Sequence, residues 1–241
     1  MTPADGIRSF LDGLRAVRAP GLGRYTWIPA AVSLVVVVVG LGVTFSYVAD
    51  LSTWLTARLP DWLEFLELLL VPLLYLLGVL AGTWLFALVA VLIAGPFLGD
   101  LSMAVERREF GDGPPEPLSL WAGALASLGR ELRKLGYHLP RLLLVFLVTL
   151  VPLLNTLAPL VWFLFGAWTL AIQFCDYPTE NRRRPFAETV DLLKRNRGAA
   201  LGYGACATVA LAIPLVNFLL IPAAVAGATL LWRRLQMETL P

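Results

Sequence analysis

Charge is scarce in this chain. Asp, Glu, Lys and Arg make up 15% of its 241 residues, against about 25% in soluble globular domains. There is one histidine, His138, and there are two cysteines, Cys175 and Cys206. A tetrahedral zinc site draws about four ligands from Cys, His or carboxylate, and two isolated thiols in apolar runs form no disulfide framework. The expectation is therefore no metal and no cofactor. No Ser/His/Asp set and no pair of intramembrane carboxylates is present, so the expectation is also that the chain is not an enzyme. A net charge of +2 says nothing about partners, and no nucleic-acid partner is expected from so apolar a composition.

What is abundant is apolar surface. Apolar residues make up 58% of the chain, and the mean hydropathy is +0.75. A water-soluble domain cannot cover that much without large exposed patches. The composition reads as a single membrane domain over 1–241, all-α and integral to the membrane.

Charge then divides the chain. Residues 1–24 carry four arginines and no long apolar run, so they do not read as a cleavable leader. Ile7, Phe10, Leu11, Leu14 and Val17 fall at helical spacing, which predicts an interfacial amphipathic helix. Residues 25–49 carry no charge and have Tyr25, Trp27 and Tyr47 near their ends. A hydrocarbon core needs about 20 helical residues, so this is a transmembrane helix with an aromatic belt. A second charge-free run begins at Leu68, and Gly95-Pro96 is expected to break or kink it, giving a membrane helix over 68–96. Amphipathic cytoplasmic helices are expected over 97–140, around the turn at Gly111-Asp112-Gly113-Pro114-Pro115.

The last hundred residues hold two apolar stretches, 141–175 and 198–232. Each is interrupted by a similar string: Pro152-Leu153-Leu154-Asn155 with Pro159 following, and Pro214-Leu215-Val216-Asn217 with Pro222 following. Asn155 and Asn217 are expected to cap or close the turns. Each stretch is too short for two crossings and a turn, so two re-entrant, half-penetrating hairpins are expected, with six full spans as the other reading. Covered tips are also expected, because turns at membrane depth need protein or a water-filled cavity around them. Of the 19 Lys and Arg residues, all but Arg58 lie outside the acidic 50–67 loop. The positive-inside bias puts both termini and the basic segments in the cytoplasm. Arg182-Arg183-Arg184 reads as a topology anchor on anionic lipid.

The string Ala171-Ile172-Gln173-Phe174-Cys175-Asp176-Tyr177-Pro178, with Ala19-Pro20-Gly21-Leu22, Ile28-Pro29, Pro60-Asp61-Trp62-Leu63, Pro96-Phe97, Leu139-Pro140-Arg141 and Ile213-Pro214-Leu215-Val216-Asn217, resembles the CysZ family of bacterial sulfate permeases. The resemblance covers roughly residues 10–232. It implies an inner-membrane protein that admits sulfate for sulfate assimilation and cysteine biosynthesis, with sulfite left open as a second oxyanion. The implied fold has two long transmembrane helices and two hemi-penetrating hairpins, assembled as a homo-oligomer among membrane lipids. The family's sulfate site is a Gly-Leu-Arg motif. The matching positions here are Gly21, Leu22, Gly23 and Arg24, so a glycine stands where the arginine is expected and the cation follows one residue later.

Physically, a helix N-terminus offers free N–H donors and a positive dipole end to a dianion, and Arg24 adds charge and bidentate hydrogen bonds. The same residues also read as a turn with an arginine anchored on lipid phosphate. Glu106, Arg107, Arg108, Arg130, Glu131, Lys134 and Arg141 are candidate pore-lining residues, since a route for a dianion needs attraction tempered by carboxylates. A solvated face is the plainer reading of each. The competing function is a membrane scaffold or assembly protein whose half-inserted hairpins shape lipid and that transports nothing.

Overall fold

The computed structural model describes residues 1–111, 120–152, 154–213 and 217–239. Leu153, the Asp112–Pro115 part of the predicted cytoplasmic turn and the Pro214–Val216 string lie outside them. Among the described residues every regular element is helical. In chain order these are α1 (Pro3–Val17), α2 (Arg24–Thr56), a 3₁₀ turn at Asp61–Leu66, α3 (Glu67–Phe110), α4 (Leu120–Thr149), a 3₁₀ turn at Asn155–Leu157, α5 (Ala158–Asn181), α6 (Phe186–Arg195), α7 (Arg197–Leu211) and α8 (Asn217–Thr239). The chain forms two compact units, one of residues 27–97 and one of residues 1–26 with 98–241.

Residues 27–97 hold most of α2 and α3. Leu34–Thr56 and Glu67–Phe86 are long and apolar enough to cross a membrane, and so is Asn155–Asn181 in the other unit. Val35, Val38, Val39, Leu76, Leu77 and Leu80 are exposed, as side chains facing lipid are. The two helices approach through small residues. Gly78 and Gly82 form a Gly-x-x-x-Gly pair against Val48 and Thr44, and a Cβ added to Gly82 would lie 2.6 Å from Thr44 Oγ1. In hydrocarbon, helices associate by such close packing rather than by burying apolar area.

The sequence predicts a helix end at Gly95-Pro96, but α3 runs on to Phe110. Proline removes one helical donor. The turns beyond it are held by packing instead, with Leu98, Leu101, Ser102, Val105 and Glu106 all buried.

The larger unit is built around α1, α5, α7 and α8. Asp5 reaches back to cap α1, accepting from the backbone N–H and the hydroxyl of Thr2 at 2.7 and 2.8 Å. Those bonds hold its carboxyl below the usual carboxylate range. The face of α1 that packs takes only part of the apolar stripe. Gly6, Ser9, Phe10, Gly13 and Val17 are buried, while Ile7 and Leu11 stay exposed. Glycine allows this, because a Cβ on Gly6 would overlap the carbonyl of Ala199 on α7. Phe10 meets Tyr203 edge-on at 5.9 Å, and the Tyr203 hydroxyl donates to the carbonyl of Ala224 at 2.5 Å.

The α4–α5 hairpin has a buried base and an exposed tip. Ala167, Ala171, Ile172 and Cys175 are buried, whereas Leu147, Leu150, Leu157 and Leu160 are each at least half exposed. The chain by itself therefore leaves this tip uncovered. Asn155 closes the turn through its backbone, donating to Val151 at 3.0 Å. The Asn217 side chain lies outside the described residues. Helix α7 has 15 residues, about 22 Å of length, short of a hydrocarbon core of about 30 Å.

Candidate functional site

The turn between α1 and α2 brings together the sequence-predicted anion residues. Gly21 has φ of +89°, a left-handed conformation that a side chain strains. Leu22 is buried and anchors the turn, and its N–H donates to Ala19 at 3.2 Å. Helix α2 begins at Arg24. The Arg24 side chain is exposed, donates from Nη2 to the Tyr25 hydroxyl at 2.8 Å and lies over that ring at 4.8 Å. It has no carboxylate partner among the described residues. Gly23 is half-buried and leaves the backbone there bare. The turn thus places a cation at the start of a helix, where the Tyr25 N–H already donates to the carbonyl of Leu22 at 3.1 Å.

Arg108, from the last turn of α3, joins this turn. Its Nη1 donates to the carbonyl of Pro20 at 2.9 Å. Its Nε lies 3.7 Å from Glu109. Arg107 is exposed beside it. Two segments 88 residues apart thereby meet at the Pro20 carbonyl.

Behind the surface lie two buried ion clusters. In the first, Glu106 is fully buried. Its Oε1 accepts from Arg182 Nε at 2.9 Å and lies 2.8 Å from Nη2. Arg233 Nε is 3.3 Å from the same oxygen. Arg182 also lies over the Trp232 ring at 5.8 Å, and Arg233 over Phe110 at 5.1 Å.

In the second cluster, Asp176 is the centre. Arg130 donates from Nε to Oδ2 at 2.6 Å and from Nη2 to Oδ1 at 2.5 Å. Lys134 Nζ lies 3.0 Å from Oδ2, and Thr189 Oγ1 donates to Oδ1 at 2.7 Å. Arg130 and Lys134 are four residues apart on α4, so one helix face carries both. Each has a further partner. Arg130 Nη1 donates to the carbonyl of Arg184 at 2.7 Å, and Lys134 is 2.7 Å from Glu131. Arg184 follows the turn after α5, in which Arg183 has a left-handed φ of 56°.

The seven candidate pore-lining residues therefore occupy different settings. Arg107, Arg108 and Arg141 are exposed, Glu131 is half-exposed on Lys134, and Glu106, Arg130 and Lys134 are buried with their partners. Arg141 donates to the carbonyl of Tyr137 and stacks on that ring at 3.6 Å. His138 is half-buried near Arg141 and Lys134. Burial, then those two cations, push its pKa below the ordinary 6.5.

Sequence reasoning missed Asp176, Thr189, Arg182 and Arg233 as members of these clusters. The signal for Asp176 was present: a carboxylate at the end of a long apolar run demands a buried partner. Nothing in the sequence paired Arg182 and Arg233 with Glu106.

A family model described as "Sulfate transporter CysZ/Etoposide-induced protein 2.4" matches residues 9–222. The chain belongs to this family. It is 41% identical over 242 residues to a protein of Pseudomonas paraeruginosa (strain DSM 24068 / PA7) named sulfate transporter CysZ, covering 99% of this chain and 98% of that protein. A protein of the same name from Pseudomonas syringae pv. tomato is 39% identical over 236 residues, covering 95% of this chain and 92% of that one. Another, from Vibrio cholerae serotype O1, is 38% identical over 234 residues, covering 94% and 92%. The similarity to these CysZ-family proteins extends across both compact units.

Proposed function

We propose that this chain carries sulfate across the bacterial inner membrane as a channel-like permease, supplying sulfate assimilation and cysteine biosynthesis. The family and the full-length similarity to proteins named sulfate transporter support the reading. The observation that carries it at the level of residues is the Gly21–Arg24 turn. There a cation without a carboxylate partner, a helix N-terminus and Arg108 meet.

In this mechanism the dianion loses part of its water against α2 amides and the Arg24 guanidinium. Arg107 and Arg108 raise its local concentration. A carboxylate on the route keeps binding weak enough for release, and Glu131, exposed beside Lys134, is the candidate for that. No step breaks a covalent bond, so the chain acts as a transporter and not an enzyme.

The membrane arrangement belongs to the same proposal. Residues 25–49 and 68–96 cross the bilayer, while 141–175 and 198–232 enter it as half-penetrating hairpins with both termini cytoplasmic. The 15-residue length of α7 and the exposed apolar tip of the α4–α5 hairpin support half-penetration. A homo-oligomer completes the pathway and covers the tips. Exposed Leu128, Leu132, Leu135 and Leu139 on α4 follow the alternating four-three spacing by which helices of two copies pair.

The test is uptake of radiolabelled sulfate into liposomes holding the purified protein, with and without a pH gradient. Uptake above empty liposomes in both conditions is expected. Flux no greater than in empty liposomes rejects sulfate transport. Flux that survives unchanged in Arg24→Ala rejects the site.

A further inference from the structure

Between α4 and α6 lies an open groove of about 800 Å³, lined by none of the residues of the Gly21–Arg24 turn and by Arg141 alone of the candidate pore-lining residues. Arg133, Tyr137 and Arg141 line one wall, at successive four-residue steps along α4. Phe186, Val190 and Lys194 line the other, at the same steps along α6. Three cations thus edge a floor made of two aromatic rings and a valine, with Tyr137 and Phe186 edge-on at 5.9 Å. One acid opposes them, Asp191, and it is 3.9 Å from Lys194. Arg133 is exposed and makes no hydrogen bond or ion pair among the described residues.

The groove sits where α4 changes character. Up to Arg141 the helix is charged; the next eight residues carry none. Leu144, three residues past Arg141 on the same face, is 62% exposed. A ligand seated between the cations would therefore continue along an apolar helix surface. Free sulfate or phosphate has nothing to place there. A phospholipid has a charged head for the groove and acyl chains for Leu144 and its neighbours.

We propose that this groove binds the phosphate headgroup of an anionic membrane phospholipid. Arg133, Arg141 and Lys194 hold the phosphate oxygens by charge-assisted hydrogen bonds. Tyr137, Phe186 and Val190 pack against the glycerol backbone, and the chains run down α4 into the bilayer. Asp191 disfavours a doubly charged soluble anion and fits the single charge of a phosphodiester. The site would brace α4 against α6, the two helices that enclose Asp176 with Arg130, Lys134 and Thr189.

The experiment uses the full chain in neutral detergent and native mass spectrometry with dioleoyl-phosphatidylglycerol or dioleoyl-phosphatidylcholine. Selective retention of phosphatidylglycerol is expected. Arg133→Gln should weaken it about fivefold, and Arg133→Gln with Lys194→Gln roughly 30-fold, at about one kcal/mol per basic residue. The single variant removes no hydrogen bond or ion pair among the described residues, so an unchanged elution profile and unliganded melting temperature are expected alongside the loss. Equal retention of phosphatidylcholine, or retention unchanged in both variants, overturns the proposal. So does displacement of the lipid by inorganic phosphate or sulfate but not by chloride at equal ionic strength, which assigns the groove to a soluble anion. Sulfate uptake is measured separately, so the lipid site can fail while the transport reading stands, and the reverse.

Discussion

Arg130 holds Asp176 through two nitrogens at once, Nε on one carboxylate oxygen and Nη2 on the other. Both residues are buried, and 46 positions of sequence separate them. The pair ties the base of α5 to the charged half of α4. Such a pair gives little net stability over an apolar substitute, but breaking one side strands the other charge.

Asp176→Ala should therefore lower stability by about 3–5 kcal/mol, because it leaves Arg130 and Lys134 buried without their shared anion. Loss of the monodisperse elution peak, or a large drop in melting temperature in detergent, checks this. A melting temperature equal to that of the unaltered chain would show that the cluster relaxes at no cost.

Gly21 and Gly42 make a matched pair of tests. Neither has a neighbour within reach of an added Cβ, but only Gly21 has a positive φ. Gly21→Ala should cost about 1–2 kcal/mol and weaken the sulfate-dependent rise in melting temperature measured against chloride. Gly42→Ala, inside α2, should be neutral or stabilising by up to about 1 kcal/mol. Equal effects at the two positions would contradict the backbone argument.

The α2–α3 contact at Gly82 is tight enough to measure. Gly82→Ala should destabilise by about 1–3 kcal/mol through overpacking. Thr44→Ala in the same chain removes Oγ1, which would lie 2.6 Å from the new Cβ, and should recover part of the loss. A double-mutant cycle on thermal unfolding reads the coupling. Strict additivity of the two substitutions would place these residues out of contact.

His138 supplies a pH dependence of definite sign. Its folded pKa lies below the ordinary 6.5, so the unfolded chain takes up the proton first as pH falls. Its contribution to stability is complete above pH 6.5 and declines as pH drops from there towards the lowered folded value. Melting temperature across that interval should fall less steeply in His138→Gln than in the unaltered chain. Identical slopes would remove His138 as the cause.

Much of the architecture was legible because apolar runs of membrane length and their charged borders are local properties. A helix over 25–49, within α2 although α2 runs on to Thr56, a helix over 68–96 and an interruption near Asn155 follow from composition and spacing alone. The helix through Gly95-Pro96 did not, because Pro96 argues locally for a break. The burial of Leu101, Val105 and Glu106, which holds the helix beyond it, is a tertiary fact. Apolar periodicity marks α1 as an amphipathic helix and includes Phe10 and Val17, which are buried. That Gly6 and Gly13 let α1 approach α7 and α8 is a tertiary fact that no hydropathy pattern marks.

The sequence by itself determined that this chain is all-helical, belongs in a membrane and sets Arg24 at the head of its first long helix. These follow from apolar content, run length and a glycine turn, each contained within a few dozen consecutive residues. Tertiary structure alone decided that Arg108 reaches Pro20, that Arg182 and Arg233 share Glu106, and that Arg130 and Lys134 neutralise Asp176. A buried charge needs a partner wherever the chain can supply one, and the identity of that partner is a property of how the helices pack.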